Sequence, residues 1–466
     1  MRTLTIVGAG PAGLAAATTA AALGLDTLLI DQAHQPGGQI YRGAESGAHT
    51  PGRELRESAA HGRALIEKFR QSGAIARFST SVWQVEPRTG GGFHVYTTQA
   101  ARSTRFETQF LLVATGARER PMPFPGWELP GVMTAGAGQI LLKSAQTVPV
   151  DGVVLAGHGP LLYLLANQYL DAGVRPGAIV DTRPALDRAR LLRSLPAALA
   201  SPSLLLRGAR LLARIRRHRV PVYRNSRALE AFGDERLAGI KFGSGGVSHQ
   251  LQTGLLLVHQ GVVPDTHFGQ LTGAGLRWNA SQVCWHVDAD ACGRAANSGL
   301  YFAGDVAGIG GATAAELRGT LSALDIARQL ERLTPVAFAA QKRSIERRLV
   351  SLDRVRPFLE ALYPPQSVAT LTDTTRVCRC ERVSAGDIRR AANAGCSGPN
   401  QLKAFTRCGM GPCQGRLCED SAIRLLAHAK GESPAQIGYY RARPPLAPVT
   451  LGELANLSVS SQSEAL

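Results

Sequence analysis

The stretch LTIVGAGPAGLAAATTAAALGLDTLLID, residues 4–31, decides the fold of this chain. An apolar strand leads into the glycine pattern G-x-G-x-x-G, a helix of small residues follows, and a second strand ends in an acid. Gly8 permits a tight turn, Gly10 a close approach of the backbone to a pyrophosphate, and Gly13 close packing of the helix on the strand. Asp31, 23 residues after Gly8, stands where a carboxylate accepts the hydroxyls of an adenosine ribose. The stretch predicts a dinucleotide site of the Rossmann type.

The same pattern returns in residues 152–181, GVVLAGHGPLLYLLANQYLDAGVRPGAIVD. Gly157 and Gly159 keep the first two glycines, but Leu162 replaces the third, and its side chain would push the helix away from the strand. Asp181 ends the next strand, where an acid suits a ribose with a free 2′-OH. NAD(H), another adenine nucleotide and a purely structural unit all stay open here.

Two such units predict the α/β fold class, with two Rossmann-like dinucleotide-binding domains and a small helical module at the C-terminal end. We expect the following boundaries: a discontinuous first domain at 1–120 and 266–330, a crossover at 121–150, a second Rossmann-like domain at 151–265, a helical connector at 331–375, a cysteine-rich module at 376–430 and an extended tail at 431–466.

Composition and charge narrow the class of protein. With 466 residues, 44% hydrophobic and 19% charged, the chain is typical of a globular protein of about three domains. The first strand begins too close to Met1 for a signal peptide, so we expect a cytoplasmic protein.

The formal net charge is +17, and arginines between 188 and 224 alternate with leucines at helical spacing. This predicts an amphipathic helix with a basic face; docking to a partner or to a membrane surface stays open, and no nucleic-acid motif accompanies it.

Three further motifs are predicted to belong to the first dinucleotide site. They are PGGQ with Gly38 and Gln39, ATG with Thr115 and Gly116, and GD with Gly304 and Asp305. Together they resemble the two-dinucleotide-domain flavoproteins that are similar to thioredoxin reductase. The resemblance implies FAD, with the GGQ loop near the flavin, the ATG segment crossing between domains and the Asp305 carboxylate on the ribityl chain. Asp305 could instead cap the helix predicted from about Ala312. Relatives that reduce disulfides need a cysteine pair beside the flavin, and no cysteine precedes Cys284, so that chemistry is excluded.

Six cysteines crowd into residues 378–418, which in a cytosolic protein favours a metal over disulfides. Cys378 with Cys380, and Cys408 with Cys413, make two close pairs, so these four thiolates are the predicted ligands. Zinc stays open, because four thiolates also suit tetrahedral zinc.

The phrases CRCE and GMGPCQGRLC resemble the bacterioferritin-associated-ferredoxin-like [2Fe-2S] module that is fused to flavoprotein subunits. The resemblance implies a [2Fe-2S] cluster and leaves Cys396 and Cys418 without a role. Cys284 and Cys292, outside the module, are interpreted as isolated buried thiols.

Nearly the whole chain, including PGGQIYR and the closing RARPPLAPVTLGELA, resembles the α (A) subunits of opine oxidases, D-hydroxyproline dehydrogenases and hydrogen cyanide synthase. The resemblance implies an electron-transferring subunit. The amino or imino acid would be oxidised on the FAD of a separate β subunit, in some cases with FMN between the subunits and a small ferredoxin-like γ subunit.

No nucleophile–base or metal-water signature marks a substrate pocket, so no catalytic residue is named. One rival hypothesis is a self-contained NAD(P)H-dependent FAD/[2Fe-2S] reductase that binds its nicotinamide at the Gly157 unit. Another is a non-catalytic nucleotide-binding or zinc-stabilised scaffold in which both cofactor sites are vestigial.

Overall fold

The computed structural model describes residues 1–45, 52–184, 188–199 and 202–459. The strands in chain order are β1 (Arg2–Val7), β2 (Thr27–Ile30), β3 (Ile75–Arg77), β4 (Ser81–Pro87), β5 (Phe93–Gln99), β6 (Arg102–Val113), β7 (Ala117–Glu119), β8 (Val132–Thr134), β9 (Val154–Gly157), β10 (Ala178–Asp181), β11 (Val222–Tyr223), β12 (Arg227–Phe232), β13 (Gly239–Ser244), β14 (Val247–Gln252), β15 (Leu256–His259), β16 (Val262–Pro264), β17 (Leu276–Asn279), β18 (Cys284–Val287), β19 (Leu300–Phe302), β20 (Arg376–Cys378), β21 (Val383–Ser384) and β22 (Ser458–Val459).

The helices in chain order are α1 (Pro11–Ala22), α2 (Arg53–Arg70), α3 (Ala135–Ala145), α4 (Pro160–Asp171), α5 (Arg188–Leu199), α6 (Pro202–Arg217), α7 (His267–Thr272), α8 (Ala312–Gln329), α9 (Pro335–Asp353), α10 (Arg356–Leu362), α11 (Ala385–Asn393), α12 (Pro399–Thr406), α13 (Glu419–Lys430), α14 (Pro434–Ile437) and α15 (Leu451–Ala455). A 3-10 turn covers Gly304–Val306.

The first sheet carries the complete fingerprint. Its strand order is β3-β2-β1-β6-β5-β4, and β19 and β22 also pair with β6. β1 runs parallel to β2 and β6, and β6 runs parallel to β19. Because parallel strands end at one edge of a sheet, the motifs that follow β1, β2, β6 and β19 meet there although they are far apart in sequence. Helix α1 packs against α8 over this sheet and buries its alanine-rich face.

The second sheet carries the incomplete fingerprint, in the order β11-β10-β9-β15-β8 with parallel pairings. An antiparallel meander of β12, β13 and β14 stands beside it, and β7 pairs with β16 in a two-stranded ribbon. Two Rossmann-type sheets in one chain confirm the predicted α/β class.

The cysteine-rich segment forms a small helical unit with its own core. Helices α11 and α13 pack against each other, and the core includes Val377, Ile388, Leu402 and Leu426 together with buried cysteines. The helical C-terminal module expected from the sequence is therefore present.

The arginine-rich stretch folds as two helices, α5 and α6, although its pattern predicts one amphipathic helix. Pro202 occupies the first position of α6, a place where its missing N–H costs nothing. The apolar side chains are less buried than an amphipathic pattern predicts: Leu192 is 67% exposed, Leu199 64% and Leu206 51%. This pair of helices therefore presents both leucine and arginine to the solvent.

Within the part of the chain that the structure describes, no helix combines the length and the apolar composition that a membrane crossing requires.

Candidate cofactor sites

Two glycines of the first fingerprint, Gly8 and Gly13, stand where only glycine fits. Gly8 has φ +110°, and a Cβ there would lie 2.5 Å from the carbonyl oxygen of Ala114. A Cβ at Gly13 would lie 1.8 Å from the carbonyl oxygen of Gly8. The turn is therefore packed tightly against the end of β6, and the helix can approach the strand only because both positions lack a side chain.

Asp31 binds the backbone of the turn that forms this site. Its carboxylate accepts the N–H groups of Ala9, at 2.5 Å, and Ala33, at 2.7 Å. The GGQ loop lies directly against the fingerprint, since a Cβ at Gly38 would come within 2.8 Å of the Gly10 Cα. The structure thus brings together the acid, the fingerprint and the loop that the sequence placed at one site.

The other predicted flavin residues line the same edge. The Thr115 hydroxyl is buried and has no hydrogen-bond partner among the described residues, and Gly116, with φ +72°, has open space at its Cβ position. An unsatisfied hydroxyl beside an open glycine fits a bound polar group, because a buried polar atom is costly without a partner. Gln39 is exposed. The chain's residues therefore fit a dinucleotide at this edge.

Asp305 already has partners within the chain. Its carboxylate accepts the N–H groups of Gly310, at 2.9 Å, and Gly311, at 3.0 Å, directly before α8. Asp305 therefore binds the loop before α8 and does not cap the helix, whose N-cap is Gly311 without a side-chain cap; contact with a ribityl chain stays a prediction. Gly304 stands against α1, because a Cβ there would lie 2.8 Å from that of Ala12.

The acid of the second fingerprint is occupied by the chain itself. Asp181 is fully buried, accepts the Tyr163 O–H at 2.7 Å and forms an ion pair with Arg183 at 2.8 Å. The Arg183 guanidinium in turn lies over the Tyr363 ring, 5.5 Å from its centroid. A ribose would have to displace these contacts, which are worth more in a buried setting than in water.

The phosphate turn of this second unit packs against the end of β15, as the first turn packs against the end of β6. Gly157 lies against the backbone of His259, with a Cβ position only 1.8 Å from its carbonyl oxygen, and the His259 imidazole is 3.2 Å from the Cβ position of Gly159. Leu162 is fully buried in the core of this unit. His158, between the two glycines, is also fully buried, and burial together with the nearby His259 lowers its pKa to about 4. The turn therefore holds a buried, neutral imidazole between its two glycines.

The cysteines converge in two groups. Cys378, Cys408 and Cys418 are buried, and their sulfurs all lie within 4.8 Å of one another; we call them the buried trio. Cys380 is exposed and interacts with Cys413, which is partly exposed. All four cysteines predicted as ligands are therefore close to another cysteine.

Backbone and side-chain donors surround these sulfurs. Hydrogen bonds from the Cys408 and Cys418 thiols, and then from the Gly409 N–H, hold the pKa of Cys378 well below its usual range. Gly411 lets the loop approach the other group, since a Cβ there would lie 2.2 Å from the Cys380 Cβ. A cluster of buried thiols with one strongly favoured thiolate suits a metal or an iron–sulfur centre.

Sequence reasoning missed two members of this centre. Cys418 had no assigned role, yet it lies inside the buried trio. Tyr440, in the tail, donates its O–H to the Cys408 sulfur at 3.5 Å. Spacing could not reveal Tyr440, because the contact depends on how the tail folds back over the module. For Cys418, the only signal was its place at the start of an amphipathic helix.

Buried ion pairs fix the cysteine module to the first domain. Arg120, 4% exposed, donates to Asp420 at 2.5 Å, and Arg424 pairs with the same carboxylate at 3.2 Å. Arg118 pairs with Glu419 at 3.1 Å. We call these five residues the docking network. Because β7, which holds Arg118, follows directly on the ATG motif, the network joins the cysteine module to the edge that carries the flavin motifs.

The two cysteines outside the cysteine-rich module are buried, as expected. Cys284 is 3% exposed and Cys292 is 7% exposed. Burial raises the pKa of Cys284 to about 12 and that of Cys292 to about 11. Neither thiol is a thiolate at neutral pH, so neither has the reactivity that a redox pair needs.

Known families match both parts of the chain. The pyridine nucleotide-disulphide oxidoreductase family matches residues 2–329, and the sarcosine oxidase A3 domain family matches residues 374–457. The A subunit of opine oxidase from Agrobacterium tumefaciens (strain Ach5) is 42% identical over 463 residues, which cover 97% of this chain and 91% of the relative. The chain belongs to the pyridine nucleotide-disulphide oxidoreductase family, as a relative of the opine oxidase A subunits.

Other relatives support this family assignment. Hydrogen cyanide synthase subunit HcnB of Pseudomonas aeruginosa is 31% identical, with 98% of this chain and 99% of that protein covered. The crystal structure of L-proline dehydrogenase from P. horikoshii shares the fold at a TM-score of 0.72 and 19% identity, covering 97% of this chain and 79% of that one. The family resemblance drawn from the motifs is confirmed. Membership in this oxidoreductase family makes the chain a flavoprotein and implies a site for FAD.

Proposed function

We propose that this chain is the electron-transferring α subunit of a heteromeric dehydrogenase or oxidase that acts on an amino or imino acid. It would bind FAD at the first fingerprint and a [2Fe-2S] cluster in the cysteine module. The docking network is the observation that carries the proposal, because it fixes the thiols to the strand that follows the ATG motif. A flavin takes up two electrons together and an iron–sulfur cluster passes them on singly, so such an attachment suits a relay.

The first fingerprint offers the better of the two nucleotide sites. Gly10 has room at its Cβ position, 3.8 Å from the Gly38 Cα, and Thr115 offers a buried hydroxyl that lacks a partner among the described residues. In the second unit, Asp181 is tied to Tyr163 and Arg183. The occupied Asp181 counts against NAD(P)H at the second unit, and so against a self-contained reductase.

The partner is proposed from the relatives. The opine oxidase relative and hydrogen cyanide synthase HcnB are, by their names, single subunits of larger enzymes, and this chain covers more than nine-tenths of each. We infer a separate FAD-containing β subunit that oxidises an opine, D-hydroxyproline or glycine. The complex would also contain FMN, shared between the two subunits, and a small ferredoxin-like γ subunit. The β subunit would then choose the substrate, and its CH–NH or CH–NH2 group would be oxidised there.

The test compares the isolated chain with its complex. Under anaerobic conditions, we expect neither NADH nor any of the three amino-acid substrates to bleach the flavin of the isolated chain. Addition of the purified β subunit should then permit rapid bleaching by one of those substrates. Rapid bleaching of the isolated chain by NADH would contradict the proposal and favour a self-contained reductase.

A further inference from the structure

Three parallel strands of the second sheet end at one edge, where a dinucleotide domain would bind its ligand. They are β9, β10 and β15, in the order β10-β9-β15. In a sheet of this kind, ligands bind in the crevice outside the carboxyl ends of the strands. The residues that directly follow the three strands are His158, Thr182 and Gln260. A segment from a distant part of the chain, residues 363–366 after α10, lies across this edge, and we call it the strap.

The strap reaches all three strand ends. The backbone of Pro364 lies beside the His158 imidazole. The side-chain amide of Gln366 donates to the carbonyl oxygen of Thr182 at 3.2 Å. The backbone N–H of Gln366 donates to the side-chain oxygen of Gln260, also at 3.2 Å. The crevice of the second unit is therefore covered by the chain itself.

Tyr363 extends this cover to the acid of the second fingerprint. Its ring lies under the Arg183 guanidinium, 5.5 Å from the ring centroid, and an arginine in this position is attracted by the aromatic face. The same guanidinium forms an ion pair with Asp181 at 2.8 Å. The strap thus helps to hold Arg183 on the carboxylate that a ribose would otherwise approach.

The crevice under the strap keeps features of a nucleotide turn. Gly157 and Gly159 have φ +119° and +114°, and the 12-residue helix α4 begins directly after them without a side-chain cap. The ring nitrogens of His158 and the hydroxyl of Thr182 are buried and lack hydrogen-bond partners among the described residues. Because buried polar atoms without partners are costly, these groups leave a capacity for polar contacts that the strap does not use.

The strap is also fastened to the docking network. The Arg424 guanidinium donates to the carbonyl oxygen of Gln366 and pairs with Asp420 at 3.2 Å. The docked cysteine module therefore holds the strap in place across the crevice.

We propose that the strap is an internal plug, which occupies the crevice of the second unit and keeps nucleoside diphosphates out of it. Leu162, the departure from the glycine pattern, is not the obstacle, because its side chain packs in the apolar core of this unit with Leu155 and Leu257. The plug goes beyond the proposed relay, since its contacts involve neither the first fingerprint nor the cysteines.

The test is photolabelling of the full chain with 8-azido-ADP, followed by peptide mapping, because the position of the label separates the two nucleotide units. The double variant Tyr363→Ala/Gln366→Ala removes one cation–π contact and one side-chain hydrogen bond of the strap. At one subsaturating probe concentration, residues 154–183 of this variant should carry about thirtyfold more label than those of the unmodified chain. Tyr96→Ala is the matched control, because this tyrosine is also half-buried but lies in β5 of the first sheet, and it should leave the labelling of residues 154–183 unchanged.

Folding is monitored separately through the thermal unfolding midpoint. If the double variant fails to fold, Gln366→Ala replaces it, with an expected gain in label of about fivefold. Equal labelling of residues 154–183 in the unmodified chain and the folded variant, at a high or a low level, would overturn the inference. Loss of flavin or iron would count against the relay and would leave this comparison unaffected.

Discussion

Replacing Asp420 by alanine tests how the cysteine module is held against the first domain. The substitution removes the shared carboxylate from between Arg120 and Arg424, whose side chains are 3% and 10% exposed. Breaking a buried ion pair by removing one partner costs about 3–5 kcal/mol, because the remaining charge stays buried. Arg120 keeps hydrogen bonds to the carbonyl oxygens of Gln282, at 2.7 Å, and Val283, at 2.9 Å. These acceptors place the expected loss at about 3 kcal/mol, the lower end of that range.

A loss of this size would weaken docking of the module by about a hundredfold, since about 1.4 kcal/mol corresponds to a factor of ten. Hydrogen exchange in residues 414–424 should rise, and the rate of electron transfer from flavin to cluster should fall, while the iron content stays unchanged. Glu57→Ala is the control, because Glu57 forms an ion pair with Arg53 at 2.6 Å with both side chains exposed, and exposed pairs contribute little. Equal exchange rates in the two variants would refute the view that the docking network holds the module.

Three further predictions concern the fingerprint, the buried histidines and the outer thiols. Gly13→Ala should abolish flavin binding, because the new Cβ would lie 1.8 Å from a backbone oxygen, whereas Gly254→Ala, with open space at its Cβ, should leave the flavin absorbance unchanged. His158 and His286 have pKa values lowered to about 4, mainly by burial. Since the unfolded chain takes up these protons first, from about pH 6.5 downward, the free energy of unfolding by urea should fall between about pH 6.5 and pH 4, and His158→Gln should flatten that dependence. Cys413→Ala should lose its iron on purification, and full metal content would remove Cys413 from the ligand set.

The strand–turn–helix units of the fold could be predicted because their sequence features, which lie close together in the chain, all indicate the same structure. At the first fingerprint, the strand, the turn glycines, the helix and Asp31 follow one another in 28 residues, and the structure shows that Gly8 and Gly13 have no room for a side chain. In the second unit, Leu162 signalled a changed site, and the buried contacts of Asp181 agree with that signal.

The remaining parts depend on contacts between distant segments. Arg118 and Glu419 are 301 residues apart, and Arg120 and Asp420 are 300 apart, so no periodic pattern could join them. The selection of Cys408 as a ligand rested on short spacing within the chain. Cys418 enters the centre only because the start of α13 packs beside the end of β20, which no spacing rule encodes.

The central claim is that one chain binds a flavin and an iron–sulfur cluster in electronic contact. The most direct test is anaerobic titration of the purified chain with dithionite, followed by its absorption spectrum, together with analysis of flavin, iron and zinc. We expect flavin bands, about two irons per chain and bleaching of both chromophores during one titration. Zinc in place of iron, or a chain that retains no flavin after gentle purification, would contradict the claim.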